Sequence, residues 1–387
     1  MSATDLTRRY VWVRAGGRCI ICNKYLLLEH LDDGEAVRQI GEVAHIAGES
    51  EKGPRGDSEV PVDERNDAPN LVLLCPNDHR GADKLRIEDP LFTEDFLRKS
   101  KSLHESFVEH VTSLREERST TVLRMAGMIR DRPGNVSRKE AATVVMNHAL
   151  RIPRHRADPY GIGDEIDLTV LDETTDAGYW EAGLRIIDKV VDRLHRDVAD
   201  DGTDHVSVFA IALVPLLIAL GNRIDDAVPL DIYERHRSSE SWAWNDDAPV
   251  TAFAAAPMPE VPEGTGEAVL LVNASGTVQV AELPGELKSL PVFTIEPVAG
   301  SEPPSTATFE NAATLASVDE ALLGFFASLE TQPSTKAIRR LHLFAAVPVS
   351  AAVTIGRRLA VDNAAPHLVI YHRTDNSYVH TFDLPTP

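Results

Sequence analysis

The sequence predicts three parts: a small α+β domain closed by a metal knuckle over residues 1–92, a helical connector over 93–160, and an α/β domain over 161–387. The last is expected to hold two fused units, about 161–250 and 265–387. Three observations predict this order. Cys19-x-x-Cys22 is answered by a third thiol, Cys75, across a stretch broken by turns and short apolar runs. Apolar residues then recur at three- and four-residue steps from Phe96 to Leu114, the period of a helix. Finally, the chain repeats itself: Phe209 stands 12 positions before Gly221, and Phe344 stands 12 before Gly356.

The first 90 or so residues carry a Gly16-Gly17-Arg18 turn, the cysteine pair and a polar stretch from Gly48 to Asn70 whose length suggests a functional or mobile loop. From Thr93 to about Arg130 the pattern reads as one connecting helix. Pro133-Gly134 breaks it, a short helix follows from Arg138 to Leu150, and residues 151–163 read as a linker. Ile166–Leu171 then reads as a strand, Asp172–Asp176 as a loop and about Tyr179 to Val198 as a helix, the grammar of a parallel sheet. In each repeat a Phe closes an apolar strand, a proline follows (Pro215, Pro348), a helix carries Gly-x-Arg, and a strand ends in Tyr233 or Tyr371. Upstream, Ile166–Ile187 answers to Val292–Phe326. Two copies of one α/β unit imply a pseudo-symmetric pair sharing an interface.

With 387 residues, 43% hydrophobic and 26% charged, the chain is globular rather than disordered or collagen-like. Its longest apolar run, Val206–Leu220, contains Pro215 and falls short of the ~20 residues of a membrane span, so no membrane partner is expected. The N-terminus lacks a secretory apolar core, and a cytoplasmic location is expected. Three cysteines in a reducing compartment point to metal or redox chemistry, and no βαβ pattern surrounds the pair to favour redox. The 60 acidic against 39 basic residues give a charge of -21, which counts against a phosphate-backbone partner at first sight. Residues 1–110 hold 15 basic and 21 acidic residues, with local positive charge at Arg8, Arg9, Arg14 and Arg18 and at Arg80, Lys84 and Arg86 near His79.

Two close thiols, a distant third and a fourth ligand would close around Zn2+, because soft thiolates and tetrahedral geometry suit that ion. The full order is Cys19-x-x-Cys22, His45, Asn70, Cys75, Asp78 and His79. In this the chain resembles the HNH endonuclease family, whose ββα-metal fold is often stapled by zinc. The resemblance implies that His45 is the general base, that Asn70 fixes the loop or assists metal binding, and that His79 holds a catalytic Mg2+ or Mn2+. Imidazole titrates near neutrality and a hard cation offsets charge on a scissile phosphate, so the chemistry is sound. There are two departures from the family pattern. Ala44 stands where a metal-binding Asp or His often precedes the base, which makes Asp83, one turn beyond His79, a candidate ligand. Asp78 stands where a Cys or His often completes the zinc site, so either Asp78 closes it or His79 is diverted to it.

The repeated half, through Phe209–Ile224, Ser241–Trp244, His342–Leu359 and Leu368–Arg373, resembles the SAVED domain, two fused CARF-like Rossmann-type units that bind cyclic oligonucleotides. Joined to an HNH head, it resembles the HNH-SAVED effector nucleases of CBASS antiphage systems. That implies a cyclic di- or trinucleotide activator, a homo-oligomer passing from dimer to tetramer or larger, and largely sequence-independent cleavage of double-stranded DNA. Ligands of open α/β sheets sit beyond the carboxyl ends of the strands. That rule selects Thr174, Thr175, Tyr179, Ser305, Thr306 and Thr308, with Trp180, Trp242, Trp244 and Tyr371 as stacking partners and Arg223, Arg357 and Arg358 as phosphate partners. Each has a structural alternative, a core aromatic or a paired surface arginine. Two other functions fit the same residues: a modification-dependent restriction endonuclease, and a catalytically inactive nucleotide-sensing DNA-binding regulator, which would not need His45, Asn70 and His79 together.

Overall fold

In the smaller of two compact units, Met1–Arg115, the Thr4 hydroxyl accepts the Thr7 amide and opens helix α1 (Asp5–Arg14). The computed structural model describes residues 3–28, 38–84, 92–114, 118–154, 164–171, 176–200, 202–301, 303–360, 366–375 and 377–384. Strands β1 (Leu27–Leu28) and β2 (Arg38–Gln39) form a short ladder, and β3 (Glu42–His45) pairs antiparallel with β4 (Leu71–Leu74). The register sets Glu42 opposite Leu74 and His45 opposite Leu71. β4 is buried along its whole length and passes through Cys75 into helix α2 (Pro76–Lys84). Helix α3 (Glu94–Ser113) is capped by Thr93, whose hydroxyl accepts the Phe96 amide. Val11, Leu26, Ala44, Ile46, Leu71, Leu73 and Leu97 share the core. Of the helical stripe predicted for α3, Leu97 is buried, whereas Leu103, Phe107 and Val111 are exposed.

The Gly48–Asn70 stretch is an organised loop. Arg65, only 2% exposed, donates to the carbonyls of Val60, Gly48, Gly56 and Ser58 and gathers the segment around one guanidinium.

The second unit, Glu116–Pro387, corrects the expected division. No separate connector spans 93–160. Its first part is α3 of the smaller unit, and its second part supplies β5 (Ser119–Ala126), the hairpin β6 (Met128–Ile129) and β7 (Arg132–Pro133), helix α4 (Arg138–Val144) and β8 (Ile152–Arg154) of the larger one. The helical period therefore ends at Ser113 rather than near Arg130. Beyond it the apolar residues run on without interruption, as in a strand covered on both faces. The expected linker opens with β8, and its residues 155–163 lie outside the described ones.

After β9 (Glu165–Asp167) come helix α5 (Ala177–Ala199), β10 (Val206–Ile211), helix α6 (Val214–Ile224) and β11 (Leu230–Tyr233). The first sheet runs β11-β10-β5-β8, with β9 also on β5, and every pair is parallel. The second half supplies β12 (Phe253–Ala255), β13 (Glu267–Asn273), β14 (Val292–Pro297), helix α7 (Ala312–Thr331), β15 (Arg340–Ala346), helix α8 (Val349–Ala360), β16 (His367–Arg373) and β17 (Tyr378–Leu384). Its sheet runs β12-β14-β13-β15-β16-β17, parallel inside and antiparallel at both edges. α7 is long and apolar enough to cross a membrane by composition, but Val318, Leu322, Phe325 and Leu329 are buried in the core.

The order β9-β5-β10-β11 matches β14-β13-β15-β16, which carries the repeat further upstream than the sequence indicated. Phe209 stacks on Tyr233 at 4.3 Å, and Phe344 stacks on Tyr371 at 4.4 Å. Each Phe also meets a second aromatic ring edge-on, Trp242 at 5.4 Å and Tyr378 at 5.0 Å. Arg235 lies 5.9 Å over Trp242, and Arg373 lies 6.0 Å over Tyr378. Between the halves, α6 crosses α8 at a reciprocal pair of glycines. A Cβ on Gly221 would stand 1.9 Å from the Val353 carbonyl oxygen, and one on Gly356 would stand 1.8 Å from that of Ile218. Only glycine permits that approach.

Candidate functional site

In the smaller unit, the turn after α1 and the start of α2 bring four donors together. The Sγ atoms of Cys19, Cys22 and Cys75 and a carboxylate oxygen of Asp78 all lie within 4.8 Å of one another. Cys22 and Cys75 are 3.7 Å apart, and the thiols of Cys19 and Cys75 each donate to Asp78 Oδ2 at 3.1 Å. Bonds of about 2.3 Å in a tetrahedron would space two sulfurs by about 3.8 Å, so the donor set fits zinc. Burial pushes the Cys19 thiol up to about 12 and raises that of Cys22, the reverse of what a redox nucleophile needs. Burial also opposes the Asp78 carboxylate, but hydrogen bonds from the three thiols outweigh it and hold its pKa below the ordinary value.

Of the two residues proposed as fourth ligand, Asp78 is the one inside this cluster. His79 is turned elsewhere: its Nδ1 lies 3.0 Å from Glu42 Oε2 and 3.4 Å from Asp83 Oδ2. Asp83 follows His79 by four residues on α2, so the helix stacks them on one face.

His45 ends β3, and its Nε2 lies 3.1 Å from Asn66 Oδ1. Asn70 is 3% exposed and fully engaged by backbone. Its Oδ1 accepts the Ala47 amide at 2.8 Å, and its Nδ2 donates to the carbonyls of Ala47 and Arg65, both at 2.9 Å. Of the two roles proposed for Asn70, it performs the first: it fixes the loop that leaves His45. Arg55 also donates to the His45, Ile46 and Ala82 carbonyls, tying the end of β3 to α2. An arginine in a polar stretch reads as solvent-facing, so no sequence signal identified it. Of the expected basic strip, Arg9 pairs with Asp5 at 2.7 Å and Arg14 pairs with Glu109 at 2.9 Å. The side chain of Lys84, and Arg86, lie outside the described residues.

In the larger unit the predicted ligand residues separate. Thr174 and Thr175 lie outside the described residues. Tyr179 and Trp180 stand at the start of α5, near the carboxyl end of β9 as expected, but only 4% and 2% exposed. Trp242 is buried against Phe209. These three, and Tyr371 stacked on Phe344, are corrected to packing residues. Thr306 is exposed in a short 3-10 turn ahead of α7, with Thr308 buried and Ser305 capping the turn.

Arg223, Arg357 and Arg358 occupy the last turns of α6 and α8. In a parallel α/β unit the helix begins at the carboxyl end of the strand, so a last turn lies at the far end, more than about 10 Å away. They are also engaged there. Arg223 pairs with Asp188 at 2.9 Å, Arg357 donates to the carbonyls of Asp225 and Val228, and Arg358 makes a two-pronged pair with Asp319. Arg357, Arg358 and Trp244 do line a cavity of about 610 Å³ beside the edge strand β11. Its wall also carries Asp226, Asp231, Asp246 and Asp319, a poor setting for a polyanion.

At the carboxyl end of β11 the sequence reading missed Glu234. Its Oε2 accepts both the amide of Ser350 at 2.9 Å and the hydroxyl at 2.6 Å, which joins the first half to the N-terminus of α8 in the second. Burial pushes this carboxyl up to about 7 against those hydrogen bonds.

Two parallel α/β units crossing at paired glycines make the larger half a duplicated Rossmann-type domain. The chain belongs to the SAVED family: residues 186–384, over half of it, match the SMODS-associated and fused to various effectors sensor domain. The match begins within α5, whereas the compact unit begins upstream of β5. Among solved structures, the Acinetobacter baumannii Cap4 SAVED/CARF-domain containing receptor with the cyclic trinucleotide 2'3'3'-cAAA is 15% identical. The similarity covers 75% of this chain and 55% of that one, at a TM-score of 0.43. The Moraxella osloensis Cap4 receptor is 14% identical over 74% of this chain and 60% of that one, at 0.42. The chain therefore spans less than two thirds of the length of these receptors. No curated protein matches it.

Proposed function

We propose that the chain is a messenger-gated DNA endonuclease, with the SAVED half as sensor and the smaller unit as a metal-dependent nuclease of HNH type serving antiphage defence. The observation that carries this reading is one chain joining a SAVED domain to a hairpin and helix that bear His45, Asn70, His79 and a three-thiolate cluster. His45 acts as general base on water. An Nε2–H directed at Asn66 leaves Nδ1 as the nitrogen that takes the proton. Asn70 and Arg55 hold the backbone on either side of that ring. His79 and Asp83 hold the divalent ion, Mg2+ or Mn2+, which when bound supplies charge stabilisation at the scissile phosphate. Cys19, Cys22, Cys75 and Asp78 hold a structural Zn2+ that fixes α2 against the turn after α1.

The messenger is a cyclic di- or trinucleotide, the ligand class that the SAVED resemblance implies. Its crevice lies at the carboxyl ends of the strands, where the helices begin and their positive ends favour anions. An acidic nuclease holds DNA weakly alone, so assembly from a dimer to a tetramer or larger raises the effective concentration of heads on one duplex.

The test is substitution of the base. With Mg2+ and an activating cyclic oligonucleotide, the wild type is expected to degrade plasmid DNA. His45→Ala is expected to leave it intact while keeping its zinc content and circular dichroism. Undiminished cleavage by the variant would sink the assignment.

A further inference from the structure

The contact between His45 and Asn66 is held in place by a third residue. Just past the end of β3, the Asn70 carbonyl accepts the Ile46 amide at 2.8 Å, and Asn70 Oδ1 accepts the Ala47 amide at 2.8 Å. Asn70 Nδ2 also donates at 2.9 Å to the carbonyl of Arg65, the residue before Asn66. The segments that carry His45 and Asn66 are thus tied to one buried side chain. Arg65 is a second anchor, because its own guanidinium holds the carbonyls of Gly48, Gly56, Ser58 and Val60. An asparagine on a loose polar loop would have to be ordered before it could hold a partner. Here the backbone beneath Asn66 is already fixed.

The geometry fixes where the proton lies. Asn66 Oδ1 has lone pairs and no hydrogen, so at 3.1 Å it accepts and His45 Nε2 donates. A neutral imidazole carries one N–H, which leaves the lone pair on Nδ1, and Nδ1 has no partner among the described residues. His45 is half-buried, so the ring is not sealed from water. In the proposed reaction, water gives a proton to that lone pair and its oxygen bonds to phosphorus. The bond from phosphorus to the leaving oxygen breaks, and its electron pair goes to that oxygen. The ring is then an imidazolium whose Nε2–H still rests on Asn66 Oδ1. A hydrogen bond from a charged donor is about twice as strong as one from a neutral donor. Asn66 therefore holds the ring more tightly as the proton arrives, the differential that lowers a barrier.

We infer that Asn66 is a positioning residue for the general base: its side-chain oxygen keeps the proton of the neutral His45 ring on Nε2, reserves Nδ1 for water, and steadies the charged ring. This rests on the reading of His45 as base and adds the group that orients it. The polar stretch from Gly48 to Asn70 thereby gains a task, with Arg65 closing it and Asn66 presenting its acceptor to the ring.

The test uses full-length, zinc-loaded protein and two readouts. The first needs neither DNA nor messenger. Histidine rings are labelled with 15N, His45→Gln assigns the His45 signals, and exchange of the Nε2 proton with water is followed by NMR. Asn66→Leu keeps the size of the side chain without an acceptor, and is expected to speed that exchange about fivefold, the factor one neutral hydrogen bond supplies, with zinc content unchanged. Asn66→Asp, which keeps an acceptor oxygen, is expected to restore the protected proton. The second readout is plasmid cleavage with Mg2+ and the cyclic oligonucleotide that gives the wild type its highest rate. Asn66→Leu is expected to lower kcat about 5- to 10-fold and to leave KM for DNA unchanged, because Asn66 acts on the ring and not on the substrate. Unchanged exchange and kcat in Asn66→Leu, a loss confined to KM, or an Asn66→Asp protein as impaired as Asn66→Leu overturns the assignment. His45→Ala separates this from failure of the broader reading. If that variant cleaves like the wild type, or if the wild type cleaves with no oligonucleotide, the general-base reading falls and Asn66 with it. If His45→Ala is inactive while Asn66→Leu keeps its kcat and its protected proton, Asn66 alone falls.

Discussion

Asn70 and Glu234 illustrate how a polar side chain acquires its role from what surrounds it. Asn70 was legible as a member of the constellation, but its function became clear only from its three backbone partners, which fix the chain two residues beyond His45. The three thiols were legible because ligand spacing is local chemistry, whereas the choice between Asp78 and His79 as fourth donor stayed open until the fold gathered Asp78 with them. Arg55 and Arg65 were not legible, since burial of a charged side chain depends on a loop closing over it. Glu234 was equally hidden. Its pKa of about 7, against an ordinary 4.5, means that the folded state binds the proton more tightly than the unfolded chain. Stability from this group is therefore present below pH 4.5 and is lost as pH rises to about 7, by at most about 3 kcal/mol. Glu234→Gln keeps an acceptor for Ser350 without the charge. Its stability relative to wild type, followed by urea unfolding and tryptophan fluorescence, should rise across that window and level off above it. A difference that does not change with pH would contradict this.

At the scale of elements, the repeat was read correctly where glycine, aromatic and helix pattern coincide, and missed where the signal was a bare apolar run. β5 is a central strand, yet it was absorbed into the helical connector because a strand buried on both faces shows no alternation. Its counterpart β13 was available as a template, AVLLVN against TTVLRMA, once the two sheets are superposed in mind. The crossing of α6 and α8 gives the repeat its energetic meaning. Gly221→Ala and Gly356→Ala each place a methyl group within 2 Å of a backbone oxygen, which no rotamer relieves. Each is expected to cost about 3 kcal/mol or more in urea unfolding. Gly324→Ala, in α7 with nothing within 4 Å of its Cβ, is the control and is expected to stabilise by up to about 1 kcal/mol. Equal behaviour of the three variants would show that the close crossing does not hold the halves together.

For the whole molecule, a charge of -21 first stood against a nucleic-acid partner. The structure sharpens that objection, because Arg9 and Arg14 are engaged by Asp5, Glu105 and Glu109. With few phosphate contacts per head, a single head should hold DNA weakly, and its affinity should fall only gently with salt. On the proposed reading, an acidic nuclease that engages DNA only when several heads act together would be silent without its messenger, and the charge would be part of the control. The SAVED half was legible in the sequence. The boundary was not, because it falls inside a stretch where helix and strand share the same apolar residues. The most direct measurement incubates full-length protein with plasmid and Mg2+ alone and beside each member of a panel of cyclic di- and trinucleotides. The account predicts cleavage in the lanes of one or a few messengers and none without. Equal cleavage in every lane would contradict the sensor, and no cleavage in any lane would leave a nucleotide-sensing DNA-binding regulator in place of the nuclease.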